Sequence, residues 1–428
     1  MTRPLPALLL LLTFSVATTA GAELLAFTGA TLHPVSSPPV EGGVMLVEDG
    51  KITAVAGNLE IPADARRIEL DGKHLYPSFI HPFSALGLVE IRSVRGTVDT
   101  TEVGDVNSNV RAEVAFHADS QLLPVTVSGG VLVAHVTPRG GLFNGTSALM
   151  RLAGWNWQDM TLAAPLAMHL DFPDLRPPVG RFRRLSQEEV DKEKKRALEV
   201  LDRTLADARA YDTARRAEEA GEGPAVPHDP RLEALRPVLS GDLPLFIEAT
   251  EKTQIEAALD WAAEQELTNL VLVTGADAQY LTARLVADEV PVVLNGVLRQ
   301  PARDWEPYDA AYIVAARLHE AGIAFCIGDG GSSFGAANAR NLPFHAAMAA
   351  AFGLPRDAAL RSVTLSVAEL LGVADRLGSL EPGKDATFIV TDGDPLEILT
   401  RIEAAWLEGV ELDPSRDRQR LLYQRYDN

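Results

Sequence analysis

The sequence predicts an α/β fold, a (β/α)8 TIM-like barrel with a small β-sandwich domain formed by both termini. Three observations predict it. The middle of the chain alternates short apolar runs with segments of helical period. Those runs are continuously apolar, as parallel strands are when helices cover both faces. Residues 24–76 and the stretch that begins "DATFIV" share a different texture of strand, turn and strand.

The elements follow in order. Residues 1–22, "MTRPLPALLLLLTFSVATTAGA", hold one basic residue, Arg3, then an apolar run and the small residues Ala20, Gly21 and Ala22. That is the order of a cleaved secretory signal. The alternative, a membrane anchor, needs a longer apolar span. No cysteine follows for a lipid anchor, so a periplasmic or secreted location is expected. Residues 23–76 form the first part of the β-sandwich, with a hairpin at Asp49-Gly50. Residues 77–380 form the barrel. Within it "LPLFIEAT" (243–250), "LVLVTG" (270–275), "VPVVLNG" (290–296) and "IAFCIGD" (323–329) are strands. Ile255, Ala258, Leu259 and Ala262 mark one helix face, and helices are expected from about Ala278 and near 311–321. Neither GxGxxG nor GxxxxGK[ST] stands where a doubly wound sheet would need it, which favours the barrel. A charged segment at about 186–220 reads as a helical surface insertion, opened by a capping box at Ser186 and Glu189. Residues 381–415 return to the β-sandwich, and 416–428 are a C-terminal tail.

Composition narrows the partners. The 428 residues carry 59 acidic and 39 basic side chains, a formal charge of −20. Such a surface repels phosphate backbones, so nucleic acid is not an expected partner. After signal cleavage no membrane association is expected either. The single cysteine, Cys326, leaves no internal disulfide, and its apolar surroundings point to packing.

The stretch "PSFIHPFSALGLVEI" (77–91) marks the passage from β-sandwich to barrel. With "GKHLYPSFIHPFSALGL" and the long run from "ARNLPFHAAMAAAFGL" to "IVTDGDP", it resembles the amidohydrolase superfamily, closest in texture to imidazolonepropionase-like members. The resemblance extends over nearly the whole chain after residue 22. It implies a barrel mouth with one or two divalent metals, held by His-x-His after strand one, Lys or Glu after strand four, a His after each of strands five and six, and Asp after strand eight. It further implies hydrolysis of non-peptide C–N bonds, in amides or cyclic amides. The metal lowers the pKa of bound water from ~15.7 to about 7 while the Asp takes its proton.

Matched residue by residue, the ligands are replaced. His81 stands at the Asp that precedes His-x-His, and the two histidines are Phe83 and Ala85. Strand four offers His169, strand five Glu248 or Thr250, and strand six Thr274. Asp329 keeps the strand-eight position and is the catalytic candidate. The expectation is a divergent member with a degenerate metal site and no cofactor. Losing about nine pKa units removes roughly 12 kcal/mol of hydroxide stabilisation. A general base supplies only about 10² to 10⁴ in rate.

One alternative is a rebuilt site of His135, Glu248 and Asp329, which has suitable donor types for zinc; otherwise His135 is a hydrogen-bonded core or pocket residue. The loop "TPRGGLFNGTSA" with Arg139 can cradle an anion or simply supply positive-φ turns. Asp99, Glu102 and Asp105 are either a cation site or a solvated loop. Three functions compete. One is a hydrolase of small C–N substrates. Another is a metal-free pseudo-hydrolase that binds a small molecule or acts as a partner subunit, as a homo-oligomer or beside an intact amidohydrolase. The last uses Glu248 and Asp329 as an acid/base pair.

Overall fold

A computed structural model describes residues 23–174, 186–413 and 418–426. The signal expected at 1–22 lies outside the described residues, as does part of the C-terminal tail; residues 418–426 of the tail are helical.

Both ends of the chain build one hydrogen-bonded sheet. Its strands are β1 (Leu25–Leu32), β2 (Val40–Glu48), β3 (Lys51–Ala56), β4 (Arg66–Glu69) and β5 (His74–Pro77) from the first part. The rest are β16 (Phe388–Thr391), β17 (Ile402–Leu407) and β18 (Val410–Leu412). The order runs β18-β17-β16-β5-β1-β2-β3, with β4 also on β1. The Asp49-Gly50 turn closes β2 onto β3 with Glu48 opposite Lys51. Both turn residues take positive φ, 51° and 74°, as the two-residue hairpin turn that suits strand twist requires. Phe388 stacks on Trp406 at 5.1 Å, and Phe27 meets both rings edge-on. That aromatic cluster fastens the first segment to the last.

Between them lie β6 (Phe79–Ser84), β7 (Val131–Val136), β8 (Phe143–Thr146), β9 (Ala148–Arg151), β10 (Thr161–Ala163), β11 (Met168–Asp171), β12 (Leu245–Glu248), β13 (Leu270–Thr274), β14 (Val292–Asn295) and β15 (Phe325–Gly328). They form a four-stranded sheet, β10-β9-β7-β6, and a six-stranded one, β15-β14-β13-β12-β11-β8. From β11 to β15 every pairing is parallel. These strands are buried on both faces, as their unbroken apolar runs predict.

Three short strands, β8, β9 and β10, depart from the expected all-parallel pattern. β8 runs antiparallel to β11, and β9 antiparallel to β7. Only residues 137–142 link β7 to β8. A parallel return needs a crossover of about a dozen residues or more. The short link instead reverses the chain, with Gly140 and Gly141 at φ 89° and 93°.

The charged segment is the helix Gln187–Glu219, capped by the expected reciprocal pair of Ser186 and Glu189. It is more than a solvated insertion. Leu201, Leu205 and Ala208 are fully buried in the larger hydrophobic core, and Asp202 accepts a hydrogen bond from Trp261 Nε1 at 2.9 Å. The segment near Ala278 starts as a 3-10 turn, Ala276–Tyr280, before the helix Thr282–Ala287. The helix expected near 311–321 is Val314–Glu320. Cys326 is wholly buried, and burial pushes its thiol pKa up.

Candidate active site

Parallel register carries the candidate residues to one end of the strands. Asp171 lies opposite Glu248 across β11 and β12. Thr274 ends β13, Asn295 ends β14 opposite Gly328, and Asp329 follows β15. His81 and Phe83 lie on β6, and His135 lies next to its end on β7. The sequence-predicted residues therefore share one end of the strands, but they fall into two groups with different chemistry.

The first group centres on Asp329. His81 Nε2 stands 3.1 Å from Asp329 Oδ1, with the two side chains 0% and 2% exposed. That is ion-pair range, but the ring N–H is off the line of a good hydrogen bond. His81 Nδ1 accepts a long contact from the Phe83 amide, which leaves its proton on the nitrogen that faces Asp329. Burial works against an ionised Asp329. His81, His345 and the Gly331 amide outweigh it and hold the carboxyl below its usual range. Asp329 Oδ2, Asn295 Oδ1, Thr274 Oγ1 and His169 Nε2 are buried without a hydrogen-bond partner.

His345 belongs here too, although its sequence reads as helix alone. Its Nδ1 accepts from the amides of Val297 and Leu298, at 3.0 and 3.3 Å. The ring thus pins the loop after β14. Burial lowers its pKa to about 4, against the pull of Asp329, so it is neutral at pH 7. The available signal is position: the helix Leu342–Ala351 is the first long one after strand β15, so its opening turn lies near the strand ends.

The second group centres on Arg139. Its Nη1 donates to Glu248 Oε2 at 2.9 Å, and its Nε to the Gly331 carbonyl at 2.9 Å. Its guanidinium carbon lies 5.0 Å from the centre of the Phe83 ring, a cation–π distance. Asp171, absent from the sequence-based candidates, lies beside this pair. Burial first, then Glu248, raises its pKa to about 6, while Arg139 and Asn144 restrain the rise.

His135 has no nitrogen to spare. Nδ1 donates to the Pro82 carbonyl at 2.7 Å, and Nε2 accepts from Ser147 Oγ at 2.6 Å. Burial lowers its pKa to about 4. This arrangement does not assemble the alternative His135–Glu248–Asp329 site. Glu248 faces Arg139, Asp329 faces His81, and His135 is engaged at both ends. The acid/base pairing of Glu248 with Asp329 fares no better, since each has its own partner. The Gly-rich loop serves as a turn that delivers Arg139. Asp105 pairs with Arg196 at 3.2 Å on the exposed surface.

Donor chemistry decides how a family-type metal would fare here. Phe83 and Ala85, 3% and 0% exposed, offer no lone pair. Among the described residues no group of three or more His, Cys, Asp or Glu is placed to hold a metal ion. The residues present do not fit a divalent cation.

Comparison with known proteins points to the family that the sequence resembles. The pattern of the Amidohydrolase family matches residues 247–412, from β12 to β18. Over that stretch this chain is similar to the amidohydrolases. The amidohydrolase tasK of Hapsidospora irregularis is 27% identical to it over 396 residues. That alignment takes in 86% of this chain and 39% of tasK, so the chain spans about two fifths of the curated relative it matches. Among solved structures, an amidohydrolase from Thermotoga maritima MSB8 is similar with a TM-score of 0.80 and 24% identity, over 91% of this chain and 99% of that one. Molinate hydrolase is similar with a TM-score of 0.54 and 17% identity, over 92% and 95%. At these identities the structures speak for the fold alone.

Proposed function

We propose that this amidohydrolase-like protein works without a metal, as a pseudo-hydrolase that binds a small polar molecule at the strand ends. The observation that carries the reading is the seat of Arg139. A guanidinium stacked on Phe83 and paired with Glu248 stands where the resemblance assigns metal ligands from strands one and five. A fixed organic cation satisfies the neighbouring carboxylate, but it cannot acidify water as a Lewis acid does.

The experiment is elemental analysis of protein purified from metal-supplemented medium. It is paired with assays on N-acyl amino acids, dipeptides and cyclic amides, with zinc or manganese added. The reading expects substoichiometric metal and no turnover. Tightly held metal that is lost on Asp329→Ala would restore the metal-assisted hydrolase.

A second reading is favoured by the His81–Asp329 contact. An ionised, buried carboxylate beside an imidazole can act as a general base on water without a metal. That reading expects slow amide hydrolysis in the presence of chelator, abolished by Asp329→Asn.

We propose a closed barrel for the central strands. Two junctions support it. Ser147 alone separates β8 from β9, so one continuous strand joins the two sheets. At the other side, Ile80 of β6 donates to the Val363 carbonyl and Ile327 of β15 to that of Ser362, each at 3.0 Å. We also propose export to the periplasm or medium, on residues 1–22, and assembly either with itself or with an intact amidohydrolase. Gel filtration of the native protein separates those two assemblies.

A further inference from the structure

A cleft of about 260 Å3 opens over the ends of β12, β13 and β14. Its wall includes Thr250, Asn295, Gly296, Arg299 and Arg303. Most of its charges are internally satisfied. Arg303 reaches both Asp277 oxygens, at 2.8 and 2.6 Å, and Glu306 at 2.5 Å. These three groups leave nothing over for a ligand.

Arg299 is different. Its backbone amide donates to the Val297 carbonyl, but among the described residues its guanidinium makes no hydrogen bond or ion pair, on a chain with 59 acidic side chains. Arg139, Arg236, Arg284 and Arg356 all find carboxylates. Next to Arg299 stands Asn295, 4% exposed, with its Oδ1 unpartnered. The two groups converge on the same backbone position, Gly330. A side chain at Gly330 would put its first carbon 2.7 Å from Arg299 Nη2 and 3.6 Å from Asn295 Oδ1. Glycine lets the guanidinium approach the backbone that closely, and its φ of 123° disfavours any replacement.

An unpaired guanidinium calls for a planar anion with two oxygens. A buried amide oxygen a few ångströms away calls for an N–H donor. A carboxylate with an amide N–H on the adjoining carbon supplies both. We infer that the cleft is a subsite for an N-acyl amino acid or a dipeptide C-terminus, with Arg299 holding the carboxylate and Asn295 Oδ1 accepting the adjoining N–H. The inference rests on the reading of the strand ends as a small-molecule site and names the ligand class it takes.

Isothermal titration of the purified full chain with N-acetyl-leucine and with its neutral carboxamide tests it. The acid is expected to bind about tenfold to a hundredfold more tightly than the carboxamide, the worth of a charge-assisted bond. Arg299→Met should erase that difference, and Arg299→Lys should keep part of it. Asn295→Leu should weaken both ligands. Arg299 is exposed, so its variants should keep the wild-type urea midpoint. Equal binding of acid and carboxamide, an unchanged preference in Arg299→Met, or no binding of either ligand overturns the subsite. Metal content of the same preparation keeps the two ideas apart. A metal-free protein without carboxylate preference loses the subsite alone. A metal-loaded one loses the pseudo-hydrolase reading, whatever Arg299 does.

Discussion

Arg139 Nη1 stands 2.9 Å from Glu248 Oε2, while the same guanidinium lies over the Phe83 ring. The two charged side chains are each 22% exposed, so the pair is only partly screened. Arg139→Ala is expected to destabilise the protein by about 1–3 kcal/mol, mostly by leaving Glu248 unpaired. Adding Glu248→Gln should recover part of that loss. Urea unfolding of the two single variants and the double variant checks the coupling. Strict additivity would count against the pair.

Asp171 makes stability depend on pH in the less usual direction. Its pKa is raised to about 6 in the fold, by burial and then by Glu248. Between the unfolded value near 4 and about 6, the folded chain therefore binds more protons than the unfolded one. This group's contribution favours the fold below about pH 4 and is lost as pH rises through 6. Each tenfold difference in proton affinity between the two states corresponds to about 1.4 kcal/mol. Asp171→Asn should flatten that part of the profile, and Glu248→Gln should bring the Asp171 titration down. Carboxyl NMR titration reads both.

Asp329 carries the opposite sign. Its lowered pKa contributes stability above the unfolded value, lost as pH falls through the folded one. His81→Ala leaves a buried carboxylate without its imidazole, a change that costs about 3–5 kcal/mol in comparable buried pairs. The acid limb of unfolding should move to higher pH in that variant. Restoration by Asp329→Asn in the same background would show that the unpaired charge is the cause.

Arg303 latches the loop after β14 through Asp277 and Glu306, whose side chains are 6% and 3% exposed. Arg303→Ala should speed amide exchange in residues 296–313 by an order of magnitude or more, with little change in β12–β15. Uniform protection across the loop would show that the latch holds nothing.

Much of this is legible in the sequence because it is local. The Asp49-Gly50 turn, the Ser186 cap and the apolar strands β12–β15 each declare themselves within ten residues or fewer. Motif alone places Phe83, Ala85, Glu248 and Asp329 at the strand ends. What escapes depends on distant partners. Arg139 meets Glu248 across 109 residues, and His345 meets Val297 across 48. The antiparallel run of β8 follows from the length of one link. His135 has the residue type for a ligand, but Pro82 and Ser147 claim both of its nitrogens. Asp171 has no motif to mark it, because its importance lies in facing Glu248 across the ladder.

The central claim is that Arg139, Phe83 and Ala85 have displaced the metal. Its most direct measurement is the metal content of protein expressed with excess zinc and manganese and then gel-filtered. The account predicts substoichiometric metal in the wild type and no change in Asp329→Ala. A full equivalent of metal in the wild type, lost in Asp329→Ala, would contradict it.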